Sequence, residues 1–315
     1  MNISVKKIIL SFLIASIVFL MIVVGAIYLF VSNIINPDTK GVDNIAVINI
    51  SGPIVGGDNG GMFSTPVSSS GSIMAQINKA KKDDTIKGLL LRVNSPGGSS
   101  AASDAIYREL KKFQATGKAV VVSMGDMAAS GGYYVSMASD EIYANPATMT
   151  GSIGVIMQFT NLEELYNKVG IDYITIKSRK YKDLGNPDRK MTEGEKEILQ
   201  TMVEGVYQQF VNVVIEGRGM EEKRVKKLAD GRVYSGEQAK SLGLVDELGN
   251  FYDAVDYLAE LVGIEGEPNL VYYNQLSPIE RLLSSFSESL SNKLLNKFFG
   301  MENNFKNNKL GLYYR

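Results

Sequence analysis

Between residues 45 and 262, short apolar and β-branched runs alternate with helical patterns, and this alternation leaves few folds open. IAVINI (45–50), IKGLLLRVN (86–94), KAVVVSM (118–124) and EIYA (141–144) read as strands, as do GVIMQF (154–159) and IDYITI (171–176). Helical spacing covers 103–114, 161–169, 192–217, 221–229, 235–242 and 250–262. Parallel strands need crossover connections, usually helices, so the pattern predicts an α/β domain with largely parallel sheets. The Gly/Ser-rich stretch 51–72 reads as a loop, and an amphipathic helix is expected over 278–299.

Ahead of this domain, residues 8–31 (IILSFLIASIVFLMIVVGAIYLFV) carry no charge. As a helix such a run measures about 36 Å, enough for a hydrocarbon core of ~30 Å. It is too long for a signal-peptide core and lacks a small-residue cleavage site, so it is expected to stay attached as an anchor. Lys6 and Lys7 precede it and the next basic residue is Lys40. That bias places residues 1–7 in the cytoplasm and the rest of the chain outside the cell membrane. A linker (32–44), a domain (45–299) and a flexible polar tail (300–315) ending LGLYYR complete the organisation. The tail reads first as a frayed terminus with no role, and alternatively as an extended peptide that docks in a groove of its own or a neighbouring subunit.

The chain of 315 residues contains no cysteine and no histidine. Thiolate nucleophiles, disulfides, cysteine metal sites and histidine-bearing zinc sites are excluded, and neither a metal nor a cofactor is expected. Hydrolysis, if the chain performs it, has to proceed without imidazole, the commonest general base near neutral pH. A net charge of −1 gives no footprint for a nucleic-acid partner.

Three glycine-rich junctions lie close to strands. NSPGGSS (94–100) follows LLLRV, and its glycines let backbone amides face outward where a helix begins, suited to developing negative charge. A tight strand–helix turn explains it equally well. MAASGGYY (127–134) places Ser130 between two alanines and two glycines, where small neighbours permit close approach of a substrate backbone. Ser130 is the candidate nucleophile, with the amide that follows it as an oxyanion donor; the plainer reading makes it a helix N-cap. TGSIGV (150–155), with Ser152 between glycines, is by itself a turn.

A serine nucleophile needs a base, and without histidine a lysine becomes the leading candidate. A free lysine titrates near 10.4, and a working pKa of about 7–8 costs roughly 3–4 kcal/mol of desolvation or nearby positive charge. The stretch IKSRKYKDLGNPDRK (176–190) offers Lys177, Lys180, Lys182 and Lys190, and residue-level reasoning does not choose among them.

NSPGG (94–98), MAASGGYY (127–134), TGSIGV (150–155), KYKDLGNPDR (180–189) and GRVYSGEQAKSLGLVDELG (231–249) together resemble the signal peptide peptidase A family, and more distantly the proteolytic subunit of the Clp protease. The resemblance spans roughly residues 44–265. It implies a Clp protease/crotonase-like superhelix of ββα units, and a serine endopeptidase working on signal peptides and other unfolded segments at the membrane. It implies Ser130 as nucleophile, Lys182 as general base, Ser152 as hydrogen-bond partner of that lysine, and amides of Gly97, Gly98 and Gly131 as the oxyanion hole. Double-length members of the family imply that a chain of this size assembles into a closed homo-oligomer, a ring or dome such as an octamer. The competing expectations are a crotonase-type acyl-CoA enzyme, which would use carboxylates and not Ser130, and a catalytically silent membrane scaffold.

Overall fold

A computed structural model describes residues 43–57 and 67–273, with eight helical residues between positions 12 and 25. Among the described residues no helix is long and apolar enough to cross a membrane. Most of the expected anchor (8–31) and linker (32–44), and all of the expected helix (278–299) and tail (300–315), lie outside the described residues.

In chain order the domain runs β1 (Asn44–Ser51), β2 (Ile54–Val55), β3 (Ser68–Ser69), α1 (Ser70–Lys82), β4 (Ile86–Ser95), α2 (Ser100–Gln114), β5 (Ala119–Ala129) and α3 (Gly131–Ser136). It continues with β6 (Glu141–Ala144), β7 (Met149–Gly151), α4 (Glu163–Val169), α5 (Glu193–Arg218), α6 (Glu222–Leu228), β8 (Val233–Ser235), α7 (Gly236–Leu242), β9 (Glu247–Leu248), α8 (Phe251–Leu261) and β10 (Asn269–Tyr272). The main sheet has the order β10-β1-β4-β5-β6-β9 and is parallel along that path. β7 branches from the end of β5 in parallel and carries β8 antiparallel to it. The α/β class with a parallel-dominated sheet is as the sequence predicts.

Burial on both faces explains why the central strands are apolar without alternation. Ile48, Leu91 and Val122 stand in register across β1, β4 and β5, and face a core completed by Ile73 and Ile77 of α1, Ile106 of α2 and Val214 of α5. One residue earlier, Val47, Leu90 and Val121 point to the other face, where α8 covers them with Val255 and Leu258. Each fully buried Leu or Ile side chain of this kind contributes about 1.5–3 kcal/mol relative to an exposed one. The result is a rigid floor under the loops at the carboxyl ends of β4 and β5.

The ends of those two strands are irregular. Val93 pairs with Met124, but Ser95 pairs with Ala128, so β5 accommodates two extra residues there. Asn94 spans the irregularity: its Oδ1 accepts from the Met127 amide at 3.1 Å and its Nδ2 donates to Asp126 at 3.1 Å. Bulges of this kind re-aim the chain at strand ends and beside active sites. Here it carries β5 up to Ala129, so that Ser130 follows immediately.

Two expected strands do not form. Residues 154–159 and 171–176 have no regular structure, and the strand in that region is β7, just upstream. Ile156, Ile174 and Ile176 are each at least 88% exposed. A strand-like pattern becomes a strand only against a partner, and no described strand runs beside these segments. Conversely, the stretch read as a loop over 51–72 contains β2, β3 and the start of α1, a helix the sequence reading misses. Ser69 caps α1 by accepting from the Ser72 amide, and Ile73, Ile77 and Ala80 form its buried stripe.

Candidate active site

Ser130 joins β5 to α3 with φ 53° and ψ −119°, one of two described non-glycine residues with positive φ. An L-residue held there costs on the order of 1–3 kcal/mol, and persists only when its surroundings impose it. They do: the Ser130 amide donates to Gly151 O at 2.8 Å, and its carbonyl accepts from the Tyr134 amide at 2.8 Å. Ser130 occupies the N-cap position of α3, yet its side chain makes no capping bond. The hydroxyl is thus not engaged by the helix it precedes, at a sharp strand–helix turn like that of other serine nucleophiles.

The first glycine junction packs directly against this turn. Gly97 has φ 96°, and a Cβ there would lie 2.5 Å from the Gly131 amide nitrogen. Gly98 has φ 154°, and a Cβ there would lie 2.1 Å from Ile54 O. Only glycine fits either position. The close approach is locked by Ile54, whose amide donates to Gly97 O at 2.8 Å and whose carbonyl accepts from the Ser99 amide at 2.9 Å. The two glycine amides then differ in employment. That of Gly97 donates to Ser95 Oγ at 3.1 Å, whereas those of Gly98 and Gly131 bond no other described residue. Gly98 is exposed and Gly97 buried. Gly98 and Gly131 are neighbours in space, so two unengaged amides stand beside Ser130.

The third junction reaches the same place. Thr150 Oγ1 donates to Ala128 O at 2.7 Å, which holds β7 against the end of β5. Ser152, at φ 50°, is the other strained non-glycine residue, and its amide donates to Arg232 O at 2.8 Å. The Ser130 amide bonds the carbonyl of Gly151, so the backbones at Ser130 and Ser152 are tied together through Gly151.

A cavity of about 30 Å³ opens beside Ser130, between Gly98, Gly131, Ser103 and Tyr134 on one side and Gln209 and Phe210 of α5 on the other. Tyr134 and Gln209 of this lining form a closed hydrogen-bonded triangle with Asp104. The Tyr134 hydroxyl donates to Asp104 Oδ1 at 2.8 Å, and Gln209 Nε2 donates to that same oxygen at 2.8 Å and to the Tyr134 hydroxyl at 3.0 Å. Burial, with the Asp104 carboxylate adding to it, pushes the Tyr134 hydroxyl well above its ordinary range, so it remains a donor. Sequence reasoning missed Gln209 and Phe210, because nothing local marks the turn of a 26-residue helix that will face a site. Tyr134 carried a usable signal, lying four residues after Ser130 and so one turn along α3.

Lys182 is not in this cavity. It is exposed, is absent from the cavity lining, and its amine bonds no described residue. Its neighbours are differently placed: Lys177 donates to Asp183 at 2.7 Å, and Lys180 sits 4.8 Å from the centre of the Tyr181 ring. Lys190 is exposed, and its amine bonds no described residue either. Within one subunit the structure thus gathers Ser130, Ser152, Gly97, Gly98 and Gly131, and leaves the lysines apart from them. Among the described residues no group of acidic side chains is placed to hold a metal ion.

A strained serine with two unengaged amides is equipped for acyl transfer, and comparison with known proteins narrows this further. The family model of peptidase family S49 matches residues 112–265, and that of Clp protease matches residues 63–152. An Enterococcus faecium protein named "Putative signal peptide peptidase SppA" is 40% identical over 231 residues, 72% of this chain and 67% of that one. The chain belongs to peptidase family S49. Protease 4 of Haemophilus influenzae is 39% identical over 70% of this chain, which spans 35% of its length. The serine protease SPPA of Arabidopsis thaliana chloroplasts is 37% identical over 69% of this chain and 32% of its own. The S49 chain described here is a serine endopeptidase, a hydrolase of peptide bonds. The S49 match includes Ser130, Ser152 and Lys182, and the Clp protease match includes both glycine junctions at 97–98 and 130–131.

Proposed function

We propose that this endopeptidase works through a Ser130–Lys182 dyad, anchored to the outer face of the cell membrane, on signal peptides left there by preprotein processing and on other unfolded segments. The observation that carries the reading is Ser130 itself: a strained, uncapped serine beside the unengaged amides of Gly98 and Gly131. Neutral Lys182 removes the hydroxyl proton as Ser130 Oγ attacks the peptide carbonyl, and the Gly98 and Gly131 amides hold the oxyanion. Gly97 shapes the turn. Protonated Lys182 then delivers its proton to the leaving amine, and water hydrolyses the acyl-enzyme by the reverse route. Ser152 orients the lysine amine. The superhelix of ββα units implied by the Clp protease resemblance is the scaffold for this arrangement.

Because Lys182 lies outside the Ser130 cavity of its own subunit, the proposal includes its supply by a neighbour in a closed homo-oligomer. Two features support assembly. Lys182 is exposed, and the flanking segments expose Ile156, Phe159, Ile171, Ile174 and Ile176, an apolar surface in want of a cover. Head-to-tail contacts that close produce rings, in which each subunit gives a lysine to one neighbour and takes one from the other.

Labelling with a fluorophosphonate tests the nucleophile. Mass spectrometry of the wild-type protein is expected to find the adduct on Ser130 alone; an adduct on another serine, or none in an active preparation, overturns the assignment. Topology follows from Lys6, Lys7 and the uncharged run 8–31. Protease added to intact spheroplasts is expected to digest the catalytic domain, and digestion only after lysis would place the domain inside.

A further inference from the structure

We infer that Arg189 is a positioning residue for Lys182, fixing the loop that carries the base onto the first turn of α5; this rests on the dyad reading above. The stretch 177–190 has no regular element of its own, only turns such as the Lys182 amide to Arg179 O at 3.2 Å and the Leu184 amide to Tyr181 O at 3.2 Å. Its upstream flank is the exposed 171–176 segment; from outside the stretch, the Leu162 amide donates to Pro187 O at 2.7 Å and the Phe159 ring packs on Gly185. The side chain that ties it to α5 is Arg189. A guanidinium has five N–H donors, and here all five are used. Nε donates to Asp183 Oδ2 at 2.9 Å; Nη1 donates to Glu195 Oε2 at 2.9 Å and Lys190 O at 3.1 Å; Nη2 donates to Glu195 Oε1 and to Asp183 O at 3.2 Å.

The bracket is anchored at one end and delivers at the other. Glu195 is 2% exposed and is itself held by Thr192, whose amide donates at 2.8 Å and whose hydroxyl donates at 2.9 Å to its Oε2. Together these form the capping box of α5, the helix whose Gln209 and Phe210 line the Ser130 cavity. At the other end Arg189 grips both the side chain and the carbonyl of Asp183, the residue bonded covalently to Lys182. Lys177 closes the bracket from the far side by donating to Asp183 Oδ1 at 2.7 Å. Arg189, with a smaller contribution from Thr192, holds the Glu195 carboxyl down at about 2. Arg189 first, and then Lys177, hold the Asp183 carboxyl well below its ordinary range. Both carboxylates therefore stay charged at any pH at which the enzyme would work.

Ion pairs shielded from water are weak stabilisers, and their best-attested use is to specify one arrangement over others. An arginine with every donor engaged, on a loop without regular structure, fits that use. The arrangement it specifies is the course of the backbone at Lys182.

The test uses the full-length, assembled protein and steady-state peptide hydrolysis. Lysine does not reproduce a bidentate fork, so Arg189→Lys is expected to lower kcat by about 10²-fold, the effect of an ångström-scale misplacement, with KM within about twofold. Asp183→Asn, which keeps the shape and loses the charge, is expected to lose about tenfold. Melting temperatures establish that each variant is folded. In a Lys182→Ala background Arg189→Lys is expected to change the residual rate by less than about twofold, because two residues acting through one group are not additive. A wild-type kcat for Arg189→Lys, or the same hundredfold loss in the Lys182→Ala background, overturns the positioning role. Wild-type turnover by Lys182→Ala alone overturns instead the dyad on which it rests.

Discussion

Replacing Ser130 or Lys182 by alanine is expected to lower kcat for peptide hydrolysis by about 10⁴–10⁶-fold, the range seen when one member of a nucleophile–base unit is removed. The two losses should be similar and the double variant no worse, because neither residue has a function in the reaction without the other. Lys182→Arg should be as inactive as Lys182→Ala, since guanidinium does not release its proton near neutral pH. Ser130→Gly carries a second expectation. It abolishes turnover, and it also frees the backbone of a left-handed conformation imposed on an L-residue at φ 53°. That relief is worth about 1 kcal/mol after the added freedom of the unfolded chain is subtracted. Ser130→Gly should therefore melt above Ser130→Ala. Strain retained at the nucleophile is what a site selected for reactivity would show. Wild-type-like turnover by Lys182→Ala, measured with active sites titrated, would remove the dyad.

Mixing the two dead proteins is expected to restore activity. The Ser130→Ala subunit still carries Lys182, and the Lys182→Ala subunit still carries Ser130. If the base comes from a neighbour, a junction is productive only when an intact serine faces an intact lysine. Random reassembly of equal amounts in a ring therefore predicts about a quarter of wild-type activity. The subunits are dissociated in mild denaturant, mixed and returned to native conditions, with mixed assemblies verified by mass. No recovery in verified mixed assemblies would put nucleophile and base in the same subunit, and the exposed position of Lys182 would then need a loop closure within one chain.

Much of the floor beneath the site is legible in the chain itself. β1, β4 and β5 announce themselves as strands rich in Val, Ile and Leu, because strands covered on both faces have little polar side to display. The glycine junctions are legible for a related reason. A Cβ at Gly97 or Gly98 would overlap the backbone of Gly131 or Ile54, so the sequence advertises the close approach even though it does not say what is approached. The choice between their amides was not legible. Ser95 takes the amide of Gly97 and leaves that of Gly98, and nothing in NSPGG distinguishes them. α1 was missed for a simpler reason: its Ile73–Ile77–Ala80 stripe begins straight after a Gly/Ser-rich stretch that reads as loop.

By itself, the sequence determined the α/β class, the absence of any imidazole or thiol chemistry, and the small residues that flank Ser130. Each of these depends on residue type and on neighbours a few positions away, where propensity, periodicity and steric exclusion act directly. Tertiary structure alone decided what those turns meet. It joined residues 97–98, 130–131 and 151–152 across three separate strand ends, and selected Tyr134, Gln209 and Phe210 as the cavity wall. It also left 154–159 and 171–176 unpaired despite their strand-like composition. A strand forms only when another edge offers hydrogen bonds, and a wall forms only where a helix happens to pass. Contacts of that kind join residues tens of positions apart, beyond the reach of any local pattern in the chain.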